Sequence, residues 1–227
     1  MSQDIYKAVL VGESGVGKTC IVAQFINGKF DPDTISSYSA QFIRKTLEFA
    51  DGQSIILDIW DTAGQEVHRS IAKLYYKDAK VVILVYDITS LKSFNEMKDY
   101  WYQQVKDSSG KDVILAIAAN KSDLYNERQV DDEVAKKFAN EVGAIFMPTS
   151  AKNDSGIQAL FDYIGKKILD PDFDFEADEK KKKLAYMNKK KQEKEKKETE
   201  DKEIRKKGIK LDEQKTKDDK KGKKKCC

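Results

Sequence analysis

Cysteine, proline and histidine are scarce in this sequence: three cysteines, three prolines and one histidine in 227 residues. Cys20, Cys226 and Cys227 make no disulfide framework, which suits a reducing compartment. Cys20 falls on a helical stretch, where a small buried apolar residue is the ordinary occupant. No apolar run approaches the roughly 20 residues of a membrane span. Met1 to Lys7 carries Asp4 and lacks a long apolar core, so no signal peptide is expected. No internal repeat is apparent. A soluble, cytosolic protein is expected unless something attaches it to a membrane.

Charge is abundant, at 36% of residues, and unevenly placed. Residues 1–175 hold 20 Lys+Arg against 26 Asp+Glu, a net of −6. Residues 176–227 hold 22 against 13, a net of +9, and the two give the overall +3. An acidic body therefore carries a basic tail. Interleaved Glu and a near-absence of aromatics argue against nucleic acid as the tail's partner. Lys180 to Lys225 has too few apolar residues to bury a core, and is expected to be largely disordered. Glu193/Lys197, Glu198/Lys202 and Glu203/Lys207 sit four apart and support at most a transient charged helix. The expected division is a folded domain over residues 1–172 and a tail over 173–227.

Apolar runs alternate with helical patterns through the body. Strands are predicted over Tyr6–Val11, Phe42–Phe49, Ser54–Trp60, Val81–Asp87, Val113–Asn120 and Ile145–Thr149. Val81-Val82-Ile83-Leu84-Val85 is a continuous run, as in a strand buried on both faces. Helices are predicted over Thr19–Phe25, Ser93–Asp107, Asp131–Val142 and Ile157–Leu169, with Ser93 and Asp131 as N-caps. Asp51-Gly52 between two strand-like runs signals a hairpin, so one strand pair is antiparallel. The fold class is α/β, a doubly wound and mostly parallel sheet. Ligands of such sheets sit at the carboxyl ends of the strands.

Gly12-Glu13-Ser14-Gly15-Val16-Gly17-Lys18-Thr19 stands at such an end, with the spacing G-x-x-x-x-G-K-[ST] of a phosphate-binding loop. Glycines allow the backbone N–H groups from Ser14 through Gly15, Val16, Gly17, Lys18 and Thr19 to Cys20 to turn toward phosphate oxygens. The helix that follows adds its unpaired amides and the positive end of its dipole. Lys18 supplies a charge for the β- and γ-phosphates, and the Thr19 hydroxyl is a hard ligand for Mg²⁺. Asp61-Thr62-Ala63-Gly64-Gln65 follows the third strand. There Asp61 can hold Mg²⁺ through water, the Gly64 N–H can approach the γ-phosphate, and Gln65 can orient an attacking water. Asn120-Lys121-Ser122-Asp123 follows the fifth strand. The Asp123 carboxylate can accept the two donors that guanine presents and adenine does not. Asn120 can contact the base edge and the Lys121 stem can pack on its face. Ser150-Ala151-Lys152 ends the sixth strand and offers the Ala151 N–H to the guanine carbonyl. Together these stretches select GTP over ATP.

In order and spacing, GESGVGKT, WDTAGQE, YDIT, NKSD and SAK resemble the Rab family of small GTPases, within the Ras superfamily. The resemblance covers roughly residues 5 to 170, and the terminal cysteines extend it. It implies a P-loop NTPase fold with six strands and helices on both faces, two nucleotide-sensitive switches, and slow hydrolysis of GTP to GDP. It also implies exchange factors, GTPase-activating proteins, a prenyl-binding chaperone of the GDP-dissociation-inhibitor type, and effectors that read the GTP form. Phe30 matches the aromatic that packs on guanine. Phe42, Trp60 and Tyr75 match the triad on which effectors dock, the plainer alternative being simple core.

Two segments depart from the family. Where the first switch usually carries Thr-Ile-Gly, this chain has Ser37-Tyr38-Ser39. Ser37 keeps the metal-ligating hydroxyl but loses the methyl that restricts its rotamers; Thr34 is an alternative ligand, three positions out of register. After Gln65-Glu66 stand Val67 and His68 in place of Arg and an aromatic, so partner contacts through that segment do not carry over. His68 reads as a switch-surface residue rather than a catalytic base. Gln65 is intact, so hydrolysis is expected to survive. The altered first switch also motivates a second reading, a membrane-tethered GTP-binding scaffold with little hydrolysis. A third, an ATP-dependent kinase, is disfavoured by Asn120 and Asp123. A monomeric switch on the cytosolic face of an intracellular membrane, acting in vesicle traffic, is the reading preferred here.

Cys226-Cys227 behind Lys223-Lys224-Lys225 resembles a double geranylgeranylation signal. Buried lipid contributes roughly 0.8 kcal/mol per CH₂, so two chains anchor stably where one is marginal. Each nearby Lys adds on the order of 1 kcal/mol at an anionic leaflet. Mass spectrometry of the chain from a eukaryotic host is expected to find both cysteines prenylated, and replacing both with serine is expected to move the protein from membranes to the soluble fraction.

Overall fold

The computed structural model describes residues 4–32, 41–62, 75–110 and 112–191. Contacts divide the chain into two units, Met1–Phe173 and Asp174–Cys227.

The first unit is built on one six-stranded sheet. In chain order its elements are β1 (Ile5–Val11), α1 (Lys18–Asn27), β2 (Gln41–Glu48), β3 (Ser54–Asp61) and β4 (Val81–Asp87). They continue with α2 (Leu91–Glu96), a π turn (Met97–Trp101), α3 (Tyr102–Ser108), β5 (Ile114–Asn120) and a 3₁₀ segment (Ser122–Glu127). The last are α4 (Asp132–Glu141), β6 (Ile145–Pro148) and α5 (Ile157–Leu169). The strand order is β2-β3-β1-β4-β5-β6. Only β2 and β3 are antiparallel, with Phe42 opposite Trp60 and Glu48 opposite Ser54. Their turn is the predicted one: Gly52 takes φ 84°, and its N–H donates to the Phe49 carbonyl at 2.9 Å.

Every residue of β4 is buried, as its unbroken apolar run requires of a strand covered on both faces. Side chains alternate across it. Val82, Leu84 and Tyr86 pack in one layer with Phe94, Met97, Trp101 and Ala135. The opposite layer holds α1 and α5, where Phe25 stacks on Phe161 with ring centroids 3.7 Å apart. All six predicted strands and the doubly wound arrangement are present. The strand order reverses between β1 and β4, where their carboxyl ends open the crevice used by ligands of such folds.

One cap differs from expectation. The helix after β4 starts at Leu91, because Ser90 is extended and its side chain accepts from the Ser93 N–H. Ser93 is buried instead, receiving the Asp87 N–H at 3.1 Å and donating to the Ser90 carbonyl at 2.8 Å. Asp131 caps α4 as expected, accepting from Glu133 N–H.

Most of the segment expected to be largely disordered, residues 192–225, lies outside the described residues. Residues 175–191 are helical. Asp174 starts the helix, its carboxylate accepting from the Ala177 N–H at 3.0 Å. Lys180 pairs with Glu176 and Lys182 with Asp178, each four residues away. Residues 180–191 are all exposed, so propensity and i,i+4 pairs sustain that stretch of the helix. No helix among the described residues is long and apolar enough to cross a membrane.

Ser90→Ala is expected to lower the stability of the folded body by about 1 kcal/mol, measured as a shift in the denaturant midpoint at unchanged slope.

Candidate functional site

The chain leaves β1 at Val11 and turns at Gly12, φ 150°. A Cβ there would stand 2.2 Å from the Val85 carbonyl oxygen of β4, so only glycine lets the loop start this close to the sheet. The loop closes at Gly17, which caps α1 in the left-handed conformation at φ 95°. Because α1 begins at Lys18, its first amides face back into the loop. Lys18 is buried at 5% exposure. Its ammonium donates to the Gly12 and Glu13 carbonyls, both at 2.9 Å. Burial pushes it down to about 8, against the opposing charges of Asp61 and Glu13.

Thr19 Oγ1 donates to Asp61 Oδ2 at 2.6 Å. The other Asp61 oxygen, Oδ1, is buried without a hydrogen-bond partner among the described residues. Burial raises this carboxyl above its ordinary range, opposed by the Thr19 hydroxyl and the Lys18 ammonium. Thr62 anchors the end of β3 to the start of the loop, donating to the Leu10 carbonyl at 2.6 Å.

At the far end of the crevice the chain leaves β5 at Asn120. Its Nδ2 donates to the Val16 carbonyl at 2.8 Å, and its Oδ1 accepts from the Thr149 hydroxyl at 3.3 Å. This side chain, expected at a base edge, is buried and ties β5 to the phosphate loop and to the segment after β6. Lys121 takes the left-handed conformation and its ammonium lies 2.7 Å from Asp87 Oδ2. The other Asp87 oxygen accepts from the N–H and hydroxyl of Thr89. Ser150 Oγ donates to Asp123 Oδ1 at 2.5 Å and accepts from Asn153 N–H at 3.1 Å.

These residues surround a cleft of about 300 Å³. Gly15, Gly17 and Cys20 line its phosphate-loop side, Asn120, Lys121, Asp123, Ala151 and Lys152 the other, and Phe30, Asp31 and Pro32 close the flank. Ser14, Val16, Lys18, Thr19 and Ser150 belong to the same loops. Gly64, Gln65, Ser37, Thr34 and His68 lie outside the described residues, as do Cys226 and Cys227. Phe42, Trp60 and Tyr75 meet: centroids are 5.4 Å apart for the first pair and 6.0 Å for the second. Phe42 is 49% exposed, so the cluster reaches the surface. Sequence reasoning missed the role of Asp87, though a carboxylate ending an otherwise apolar buried strand was a signal to be read. Thr149 carried no such signal.

A family profile described as the Ras family matches residues 7–170. The chain belongs to the Ras family. Over 163 residues it is 40% identical to the Ras-related protein RabJ of Dictyostelium discoideum, covering 72% of this chain and 63% of that one. It is 39% identical over 166 residues to Rab-22A of Canis lupus familiaris, covering 73% and 84%. It is also 39% identical over 165 residues to Rab-8B of Homo sapiens, covering 73% and 79%. Within the Ras family it is a Rab-like small GTPase of membrane traffic, an enzyme that hydrolyses GTP.

The oxygen donors of this Ras-family site fit the magnesium that usually accompanies the family's nucleotide. Among the described residues no cluster holds three or more His, Cys, Asp or Glu. A cation held by few protein oxygens beside phosphates is the habit of Mg²⁺. The Thr19 hydroxyl and the orphaned buried oxygen of Asp61 are of the right chemistry and in the right place.

Asn120→Ala is expected to leave the Val16 carbonyl unpaired. That costs about 1–3 kcal/mol of stability and weakens GDP binding by roughly tenfold or more, as read by thermal melts with and without GDP and by titration calorimetry.

Proposed function

We propose that this chain is a GTP/GDP switch, residues 1–172 forming the nucleotide-dependent domain and 173–227 the tether. It is a monomer that cycles between the cytosol and the cytosolic face of endomembranes, held there by geranylgeranyl groups on Cys226 and Cys227. Asp123 carries the reading: its carboxylate, oriented by Ser150 at 2.5 Å, faces the same cleft as the phosphate loop. A carboxylate there accepts guanine's N1–H and amine together, while Ala151 is buried at 4% exposure with its backbone alongside.

The amides from Ser14 to Cys20 and the Lys18 ammonium bind the phosphates, and Phe30 covers the base. Thr19, Ser37 and Asp61 would hold Mg²⁺, which supplies positive charge at the phosphate oxygens. In hydrolysis Gln65 orients the attacking water, Lys18 offsets the charge that develops on the transferred group, and Gly64 gives its N–H to the γ-phosphate. Departure of phosphate releases the segments around Ser37 and Gln65. Among the described residues no arginine lines the cleft, and a GTPase-activating protein completes the site. An exchange factor reloads it, a chaperone of the GDP-dissociation-inhibitor type carries the prenylated form, and effectors dock on Phe42, Trp60 and Tyr75. The contiguity of those three rings and the exposure of Phe42 support that surface.

Single-turnover hydrolysis of preloaded GTP tests the reading. Gln65→Leu is expected to slow it by about tenfold or more, and equal rates would remove Gln65 from the mechanism. ATP is expected not to displace GDP at equal concentration; displacement would overturn the guanine assignment.

A further inference from the structure

The helical run between β4 and β5 changes character in its middle, where α2 gives way to the π turn Met97–Trp101 before α3 resumes. Single π turns inside α-helices are rare and cluster at functional sites. This one ends on Trp101, which is only 1% exposed and is among the largest fully buried side chains. The indole has a single donor. It reaches out of the apolar layer to Glu13 Oε1 at 3.3 Å, a contact between residues 88 apart. Tyr100 stands edge-on to the same ring at 5.1 Å.

Glu13 is the first variable residue of the phosphate loop. Its backbone carbonyl accepts from the Lys18 ammonium at 2.9 Å. Its side chain is an anion at the mouth of an anion-binding site, close enough to act on the Lys18 charge. Turned toward the loop, that carboxylate would pair with Lys18 or face incoming phosphates, and either competes with the nucleotide. Trp101 contributes nothing to the lining of the cleft, so its bond to Glu13 is its route to the site.

We propose that Trp101 is a positioning residue for nucleotide retention, its indole N–H holding the Glu13 carboxylate against the helical layer and away from the phosphates. The π turn is the device that delivers the indole to the loop. This inference rests on the nucleotide reading above, and its test separates the two.

The full chain, loaded with fluorescent GDP and Mg²⁺, is followed as it releases nucleotide into excess GDP. Trp101→Phe keeps an aromatic ring and removes the donor; release is expected to quicken by about tenfold, the worth of a hydrogen bond to a charged group. Adding Glu13→Gln to Trp101→Phe removes the negative charge and is expected to restore most of the lost retention. A purely structural role for the ring would not be rescued this way. Release at the wild-type rate in Trp101→Phe, or no rescue by Glu13→Gln, would overturn the proposal. Should Trp101→Phe fail to fold, the indole N–H resonance of Trp101, assigned against Trp60→Phe, takes its place. It is expected to shift in Glu13→Ala, and an unchanged position would equally overturn the proposal. A wild-type chain that retains no GDP would instead sink the nucleotide reading, while the resonance still reports on the contact.

Discussion

Asn120 and Val16 are 104 residues apart in sequence, and the 2.8 Å bond between them joins the loop after β5 to the glycine-rich loop after β1, the two sides of the cleft. Each side is a loop, and loops set their own geometry poorly. Here the distance between them is held by one buried amide that also accepts from Thr149, so three segments share a single anchor. A purine nucleotide is rigid enough that its two ends must be met at once. The bond therefore does for the site what preorganisation does for any tight binder: it removes the need to arrange the loops when the ligand arrives.

The sheet makes this possible. β1, β4 and β5 run parallel, so the ends that carry Gly12, Asp87 and Asn120 emerge along one edge. Parallel strands have to be buried on both faces, and the fully buried β4 meets that demand. Polar residues at the rim are engaged: Asp87 with Lys121 and Thr89, Thr62 with Leu10, Asp123 with Ser150. Asp61 Oδ1, beside the phosphate loop, is a buried oxygen with no hydrogen-bond partner among the described residues. Its cost is accepted where a cation is expected to be bound.

Much of this was legible in the chain. The strands announce themselves as β-branched runs, the hairpin as Asp51-Gly52, and the phosphate loop as a spacing that backbone physics restricts to glycine. The departures have a common cause: sequence spacing reports periodicity, not which hydrogen bond wins. Ser93 and Ser90 are equally good caps on paper, and burial of Ser93 against Asp87 decides between them. Nothing in the spacing of Asn120 announces its bond to Val16. Within the charged segment after Phe173, a cap at Asp174 and pairs four apart accompany the helix over 175–191, which the lack of apolar residues for a core does not announce. The π turn and the reach of Trp101 to Glu13 leave no periodic trace at all.

Gly17 also carries a consequence for how the site tolerates change. A Cβ at that position would stand 2.4 Å from the Asn120 amide nitrogen. Any side chain placed there has to evict Asn120, and with it the bond to Val16. Loss at either position therefore spends the same interaction, and damage at both is far from the sum of the parts. For anyone redesigning the pocket, residues 17 and 120 are one degree of freedom, to be exchanged as a pair or left alone.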